Sequence, residues 1–266
     1  MIMSKLRVEL NNFDPNKYVD EKTDKIKTFI KNHSFNGVIL GLYSLSHCSL
    51  TALLCSRAIG GSNVYVLNIL ASSTRYQSKI HNINKISKIG KFKVINFEIT
   101  KFHNFLLKNL PNIQFNKKLY QKLKVKSESN ELSERLKMVI VNHYSDQNNY
   151  ALFGNLDKTD LLTNNYVTNG INTGEILVLH DLYKTQIRKL LLALNLGFLA
   201  NPNQSYINYT NPDLGLQTET IDCILLGIEK NMNNKAIASD LNININEIES
   251  VKNIIKNKKH IFPYLI

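Results

Sequence analysis

The hydrophobic residues of this chain form short apolar runs that alternate with longer segments of helical periodicity. Five runs rich in β-formers predict buried strands, and they cover residues 38–43, 64–70, 92–97, 150–154 and 176–179. Apolar residues spaced three or four apart predict amphipathic helices between and around the strands, at residues 22–32, 50–59, 77–89, 132–144 and 182–196. Glycines end two of these helices: Gly60 and Gly61 follow the helix at 50–59, and Gly90 follows the helix at 77–89.

Strands that alternate with helices predict a parallel sheet covered on both faces. The expected fold is therefore an α/β, Rossmann-like, doubly wound parallel sheet of about five strands, with right-handed crossovers. The tail, at about 217–260, predicts a C-terminal helical segment, in which residues 234–251 resemble a helix-turn-helix. Without repeats or a low-complexity linker, the sequence predicts a single domain over residues 1–266, with an α/β core at about 20–200. Residues 111–129 predict a mobile connection with a short helix.

Polar residues follow several of the predicted strands. In an open parallel sheet, ligands bind beyond the carboxyl ends of the strands. The turns after Tyr43, Leu70 and Gly154, together with Asp181, lie at those ends. The pattern therefore places a candidate binding site at that edge of the sheet.

Composition narrows the function classes only in part. The 266 residues carry a formal net charge of +12 and a pI of about 9.4, which favours anionic partners such as nucleotides or nucleic acid. The abundance of Asn, Lys and Ile explains the same charge as a compositional bias, and scattered lysines carry no specificity. Apolar runs are shorter than the roughly 18 residues of a bilayer span, so we expect no membrane insertion.

The cysteines favour a reduced environment. Cys48, Cys55 and Cys223 have no paired metal spacing, and the N-terminus lacks the apolar segment of a secretion signal. We therefore expect a cytoplasmic protein. A cysteine at a helix N-terminus has a lowered pKa, so His47 and Cys48 suggest a nucleophile. Adjacent side chains rarely face each other and the sequence identifies no orienting third group, so a packed or capping Cys48 is the preferred interpretation.

Three motifs carry a resemblance to a known family. The most specific is Asp181–Arg188, with the sequence Asp-Leu-Tyr-Lys-Thr-Gln-Ile-Arg. Phe153–Asp160 occupies the place of a Gly-Thr-Gly-Asn-Lys-Ser-Glu turn, and Arg135 with Met138 matches the end of a family helix. From about residue 20 onward the chain resembles the ammonia-dependent NAD synthetases, which adenylate a nucleotide carboxylate with ATP and join ammonia to it. The resemblance implies the same α/β fold and a homodimer.

The resemblance also implies a set of ligand-binding residues. Contacts with ATP or a dinucleotide would come from Lys184, Ser44, Ser46, Asn155 and Arg135. A lysine in the first turn of a helix that begins at a strand end can meet phosphate together with the helix N-terminus. The alternative for Lys184 is a solvated side chain without a partner. The family's magnesium is held by a loop aspartate and a turn glutamate, and the second position corresponds to Asp160.

The chain departs from the family where phosphate and metal are handled. The family loop Ser-Gly-Gly-x-Asp-Ser is replaced by Tyr43–Cys48, which puts Leu45 in place of a glycine and His47 in place of the metal aspartate. A Cβ blocks the approach of backbone N–H groups to pyrophosphate, and an imidazole is a poorer magnesium ligand than a carboxylate. These replacements argue against magnesium binding at Asp160. Further family positions are replaced by Thr168, Ile171, Asn203 and Ser205.

Three hypotheses for function follow. The first is a NAD synthetase homologue with impaired or absent amidation activity and a nucleotide- or partner-binding role. The second is a divergent nucleotide-dependent ligase or transferase that uses the same cleft. The third is a basic nucleic-acid-binding protein that uses residues 234–251, which we do not prefer because the family ends in a similar helix pair.

Overall fold

The computed structural model describes residues 4–71, 77–110, 128–200, 210–211 and 214–256. The strands are β1 Gly37–Gly41, β2 Val64–Leu70, β3 Lys93–Glu98, β4 Tyr150–Gly154, β5 Ile176–Leu177, β6 Thr210–Asn211 and β7 Leu216–Gln217. The α-helices are α1 Lys5–Asn11, α2 Pro15–Asn32, α3 Leu45–Ile59, α4 Gln77–Gly90, α5 Thr100–Asn109, α6 Glu128–Asn148, α7 Lys158–Thr163, α8 Lys184–Ala193, α9 Thr218–Glu229, α10 Asn234–Leu241 and α11 Ile245–Lys256.

Five strands form one parallel sheet in the order β3-β2-β1-β4-β5. Strand β1 lies at its centre and is buried along its whole length, which explains its continuous apolar run. Strands β6 and β7 form a separate antiparallel pair. The α/β class and the sheet of five parallel strands are confirmed.

Helices cover both faces of the sheet, and alternate residues of β1 pack against different helices. Val38 and Leu40 join a core cluster that contains residues of α2, α3, α4 and α8. Ile39 lies in a second cluster, with Met138 and Val141 of α6. The period of two along a strand thus supplies both layers of the core. A third cluster joins α1 to α9, α10 and α11, including Ile237 and Ile248 of the helix-turn-helix-like segment.

Several element bounds differ from the predictions. Helix α1 was not predicted because seven residues are too few to show helical periodicity; the Ser4 side chain caps it, and Leu6 and Leu10 pack into the third cluster. Helix α5 was not predicted either. Helix α3 begins at Leu45, five residues earlier than predicted, so His47 and Cys48 lie in its first turn. The segment predicted as a mobile connection lies outside the described residues up to residue 127.

Among the helices that the structure describes, none combines the length and the apolar run that a bilayer span requires.

Two glycines with positive φ provide a test of the packing around β4. Gly174 has φ +54°, and a Cβ there would lie 2.1 Å from the backbone nitrogen of Gly154. Gly215 has φ +65°, but a Cβ there would meet no atom within 4 Å. An L-residue in this backbone region costs about 1–2 kcal/mol, and only Gly174 adds a steric clash with a strand.

We therefore expect Gly174→Ala to lower the free energy of unfolding by roughly 1–3 kcal/mol more than Gly215→Ala does. Urea unfolding of the two variants and the wild type measures the difference, with Gly215→Ala as the control for backbone strain alone. Equal losses would show that the loop before β5 moves away from β4 at little cost.

Candidate functional site

The candidate site lies at the carboxyl edge of the sheet, where the sequence predicted it. Strand β1 leads into Ser44, the N-cap of α3, and β4 leads into the turn before α7. Lys184 is the first residue of α8, which follows β5. The Asn155 side chain donates from Nδ2 to the Gly41 carbonyl oxygen at 2.9 Å, so it joins the ends of β1 and β4. The segments that follow three different strands therefore bring their polar side chains to one place.

At its centre lies Asp157, whose side chain has no exposure to solvent. One carboxylate oxygen, Oδ2, accepts hydrogen bonds from His47 Nε2 and from Lys184 Nζ, each at 2.7 Å. The other oxygen, Oδ1, accepts from the backbone N–H of Asp160 at 2.7 Å and so caps α7. The Lys184 ammonium also lies 2.6 Å from Asp160 Oδ1. These four side chains form what we call the ion-pair cluster: His47, Asp157, Asp160 and Lys184.

The hydrogen bonds assign the proton position on the His47 imidazole. Because Nε2 faces a carboxylate, it carries a hydrogen. With one proton on the ring, at Nε2, Nδ1 accepts from the Ser44 hydroxyl, 3.0 Å away, and Ser46 Oγ lies at 3.3 Å. A serine, an imidazole and a carboxylate thus lie in one hydrogen-bonded chain.

This chain differs from a hydrolytic triad in two respects. Ser44 is buried, which limits the access of a substrate to its hydroxyl. The Asp157 oxygen that accepts a hydrogen bond from His47 also accepts one from Lys184. The positive charge of Lys184 weakens the ability of this carboxylate to stabilise an imidazolium. Cys48 is fully buried, and burial raises the pKa of its thiol, so the packed interpretation of Cys48 agrees with the structure.

Opposing effects set the pKa values within the ion-pair cluster. Burial alone would raise the pKa of Asp157, but the Lys184 ammonium and the His47 hydrogen bond outweigh it and hold this pKa at about 2. Burial and the neighbouring Asp157 raise the pKa of Asp160. Burial would lower the pKa of Lys184, yet the two carboxylates outweigh it and raise that pKa. Lys184 therefore remains an ammonium ion at neutral pH.

A second buried carboxylate, Asp222 of α9, lies behind the ion-pair cluster. It accepts from the Thr159 hydroxyl at 2.6 Å, and from the Thr185 backbone N–H and hydroxyl at 2.9 and 2.6 Å. Thr159 in turn accepts from the backbone N–H of Lys184 at 3.0 Å. Asp222 and Thr159 satisfy N–H groups in the first turn of α8 that have no partner within the helix. They therefore hold α7, α8 and α9 together.

Most of the predicted site residues meet at this edge. The structure brings together Ser44, Ser46, Asn155, Asp160 and Lys184. Arg135 of α6 instead donates to the Thr168 carbonyl and pairs with Glu131, and its side chain is about half exposed. Leu45, which was expected to obstruct a phosphate, is buried in the first core cluster. Asn203 and Ser205 lie outside the described residues. The ligand roles assigned to all these residues stay predictions.

Sequence reasoning missed the roles of Asp157 and Asp222. One signal for Asp157 was present, since an aspartate three residues before Asp160, just after a strand, has the spacing of a helix N-cap. Its partners His47 and Lys184 lie 110 and 27 residues away, and sequence spacing does not reveal them.

Three side chains of the ion-pair cluster correspond to the donors that a magnesium ion, implied by the resemblance, would need. His47, Asp157 and Asp160 each offer a ligand atom, and these atoms lie within 4.8 Å of one another. Magnesium requires oxygen ligands at about 2.0–2.1 Å in octahedral geometry. One of the three donors is an imidazole, and the Lys184 ammonium already lies against both carboxylates. The residues present therefore do not fit a magnesium ion.

Asp222 provides a pH-dependent prediction. Burial raises its pKa from 3.8 to about 7, against the lowering effect of the hydrogen bonds from Thr159 and Thr185. The native state then binds more protons than the unfolded state between these two pH values, so this group reduces stability as pH rises from about 4 to about 7. We expect Asp222→Asn, which keeps the shape and cannot ionise, to remove this part of the pH dependence.

Urea unfolding of the wild type and of Asp222→Asn at pH 5 and pH 8 measures the effect. The stability of the wild type relative to the variant should be lower at pH 8 than at pH 5, by on the order of 2–4 kcal/mol. A difference that does not change with pH would mean that the three donors keep Asp222 ionised throughout this range.

Comparisons with known proteins identify the family of this chain. The family model described as NAD synthase matches residues 18–262. The chain is 26% identical to the NH(3)-dependent NAD(+) synthetase of Sulfolobus acidocaldarius over 242 residues, covering 89% of this chain and 83% of that protein. It is 26% identical to the protein of the same description from Thermococcus sibiricus over 258 residues, covering 94% and 96%.

Two solved structures share the fold. The NH3-dependent NAD synthetase of Campylobacter jejuni has a TM-score of 0.74 at 22% identity, over 92% of this chain and 95% of that one. The NMN synthetase of Francisella tularensis has a TM-score of 0.69 at 16% identity, over 94% and 98%. Because the family model covers nearly the whole sequence, the chain belongs to the NAD synthase family.

Proposed function

We propose that this chain is a member of the NAD synthase family in which the ATP-dependent amidation of nicotinate adenine dinucleotide is impaired or lost, and that it acts by binding a nucleotide or a protein partner. One observation carries the proposal. Lys184, which is expected to contact phosphate, is bonded in a buried cluster to Asp160, the carboxylate at a family metal position, and to Asp157.

This arrangement opposes catalysis on energetic grounds. Asp157 and Asp160, whose side chains are 0% and 12% exposed, already bind the Lys184 ammonium, so a phosphate can take over this ammonium fully only by displacing them. Leaving a buried charge without its partner costs about 3–5 kcal/mol. The absence of the loop glycines adds to this cost, because each lost donor to a developing charge typically reduces the rate by roughly 10²–10³-fold.

A second candidate is a divergent nucleotide-dependent ligase or transferase. In the family motifs that this chain resembles, the position of Asp157 is an asparagine and the position of His47 is an aspartate. The two replaced residues, His47 and Asp157, are joined by one 2.7 Å hydrogen bond. The site therefore still contains an aspartate, but at position 157 instead of position 47. Such a matched exchange is typical of a site that has been rebuilt. The fold neighbour described as an NMN synthetase also shows that this fold is not limited to one substrate.

The nucleic-acid hypothesis has less support. The apolar side of residues 234–251 packs into the third core cluster through Ile237, Leu241, Ile248 and Val251. The described part of this segment therefore has a structural role in joining α10 and α11 to α1 and α9. The net charge alone does not indicate a binding site.

The first functional prediction is that the chain does not make NAD from nicotinate adenine dinucleotide, ATP, magnesium and ammonia. We expect a rate below about one thousandth of that of the Campylobacter jejuni synthetase assayed in parallel, because several donors are lost together. Product analysis by liquid chromatography measures it. NAD formation above that level contradicts the proposal, whereas consumption of ATP without NAD supports the divergent ligase.

A melting experiment separates the two binding roles. A nucleotide that binds the native state raises the melting temperature by mass action. A rise with ATP or nicotinate adenine dinucleotide that Lys184→Ala removes would support a nucleotide ligand. Lys189→Ala, on the same helix but bonded to the Asn11 carbonyl, is the control. The absence of a rise with either nucleotide at millimolar concentration would argue against a nucleotide ligand and favour a scaffold role.

We also propose that the chain forms a homodimer through an exposed apolar surface beside β3. Edge strand β3 exposes Ile95 and Phe97, and the following helix α5 exposes Phe102 and Phe105. Val139 of α6 is 65% exposed. Exposed apolar residues grouped on neighbouring elements mark interaction sites more often than single exposed residues do. A second copy is the occupant that the family resemblance implies.

The corresponding prediction is that Phe105→Asp combined with Val139→Asp converts a dimer into a monomer, because two buried charges at an interface are strongly unfavourable. Light scattering after size exclusion measures the mass. Val8→Asp combined with Leu192→Asp is the control, since these residues are also about half exposed but lie on α1 and α8. A wild-type protein that is monomeric at tens of micromolar would contradict the proposal.

A further inference from the structure

We infer that the Lys184 ammonium is the built-in cation of the ion-pair cluster: it takes the position between Asp157 and Asp160 that a divalent metal ion would need. The protein therefore neutralises these carboxylates without a metal. This inference goes beyond the proposed function, because it concerns what the cluster binds in the absence of any nucleotide.

Distances carry the first step. The ligand atoms of His47, Asp157 and Asp160 lie within 4.8 Å of one another, a spacing that a single ion can span. Lys184 Nζ lies 2.7 Å from Asp157 Oδ2 and 2.6 Å from Asp160 Oδ1. A metal ion bonded to the same two oxygens at about 2.0–2.2 Å would overlap the ammonium nitrogen. The cluster can hold the ammonium or a metal, but not both.

The backbone position of Lys184 carries the second step. Its amide donates to Thr159 at 3.0 Å, and its helix is fixed in the core by Ile187 and Leu190. The lysine side chain is 10% exposed, so the ammonium is delivered to the carboxylates with little loss of freedom. A soluble ion would have to displace a covalently tethered competitor that is always present. The raised pKa of Lys184 agrees with a permanently charged group.

Donor chemistry identifies the ions that would bind if the ammonium were absent. One imidazole and two carboxylates suit Mn²⁺, Co²⁺ or Zn²⁺, which accept nitrogen and oxygen ligands together. Mg²⁺ prefers oxygen and retains its water, so it would bind more weakly. Removing the ammonium while keeping the three ligands should therefore create a transition-metal site where the native protein has none.

The experiment compares the wild type with Lys184→Met, which keeps an unbranched side chain without the charge. Co²⁺ is the probe, because its visible absorption reports inner-sphere ligands, and Mg²⁺, Mn²⁺ and Zn²⁺ are tested by melting. We expect the wild type to show neither a cobalt band nor a shift with any of these ions. Lys184→Met should be destabilised without metal, bind one Co²⁺, and gain roughly 5–10 °C in melting temperature at saturating metal.

Two control variants define the site. Lys189→Met removes an ammonium from the same helix outside the ion-pair cluster, and it should behave like the wild type. Lys184→Met combined with Asp160→Asn removes one ligand, and it should lose the cobalt band. Lys184→Gln repeats the test with a polar residue if Lys184→Met does not fold.

Two results would overturn the inference. One is a wild-type protein that binds Co²⁺ or Mn²⁺ with one-to-one stoichiometry and loses this binding in Asp160→Asn, since the carboxylates would then hold a metal while Lys184 is present. The other is a folded Lys184→Met or Lys184→Gln protein that binds no metal. The wild-type titration against Asp160→Asn decides the question even if neither Lys184 variant folds. No nucleotide is present, so these outcomes are independent of NAD formation.

Discussion

A carboxylate with no exposure to solvent is the constraint on which the carboxyl edge of this sheet depends. Burying an ionised group is tolerated only when charge and hydrogen bonds compensate for the lost water. Asp157 obtains both, from His47 of α3, from Lys184 of α8 and from the Asp160 amide of α7. Each donor comes from a helix that follows a different strand. Helices that the backbone connects only through the sheet are therefore also connected through one side chain.

Asp222 extends the same principle to the C-terminal helices. It lies in the first half of α9 and accepts hydrogen bonds from the Thr159 hydroxyl and from the backbone N–H and hydroxyl of Thr185. Because Thr159 also accepts from the Lys184 amide, the two buried carboxylates act on the same turn of α8. The motif that gave the clearest family resemblance, Asp181–Arg188, thus has a structural reason to persist apart from catalysis. Its lysine, threonine and backbone are required by Asp157 and Asp222.

The sheet was predictable from the sequence because its strands are buried on both faces, so their apolar runs are continuous whatever their partners are. The same reasoning placed the polar residues of the candidate site together, since the ends of parallel strands lie at one edge. It did not find α1, whose stability depends on Leu6 and Leu10 packing against helices more than 200 residues later. The sequence reasoning also missed the ion-pair cluster. The local pattern of apolar residues shows which face of a helix or strand is buried, but it does not show which distant polar side chains come into contact.

The charge balance of the cleft limits what it can bind. The chain carries a net charge of +12, but the lysine that points into the cleft is already neutralised by two carboxylates. Attraction between unit charges at contact distance is strong in a buried setting, so an approaching phosphate competes with partners that are already in place. An anionic ligand gains the attraction of Lys184 only by replacing those partners or by bringing a cation for them. The basic composition of the chain therefore does not by itself make this cleft a phosphate site.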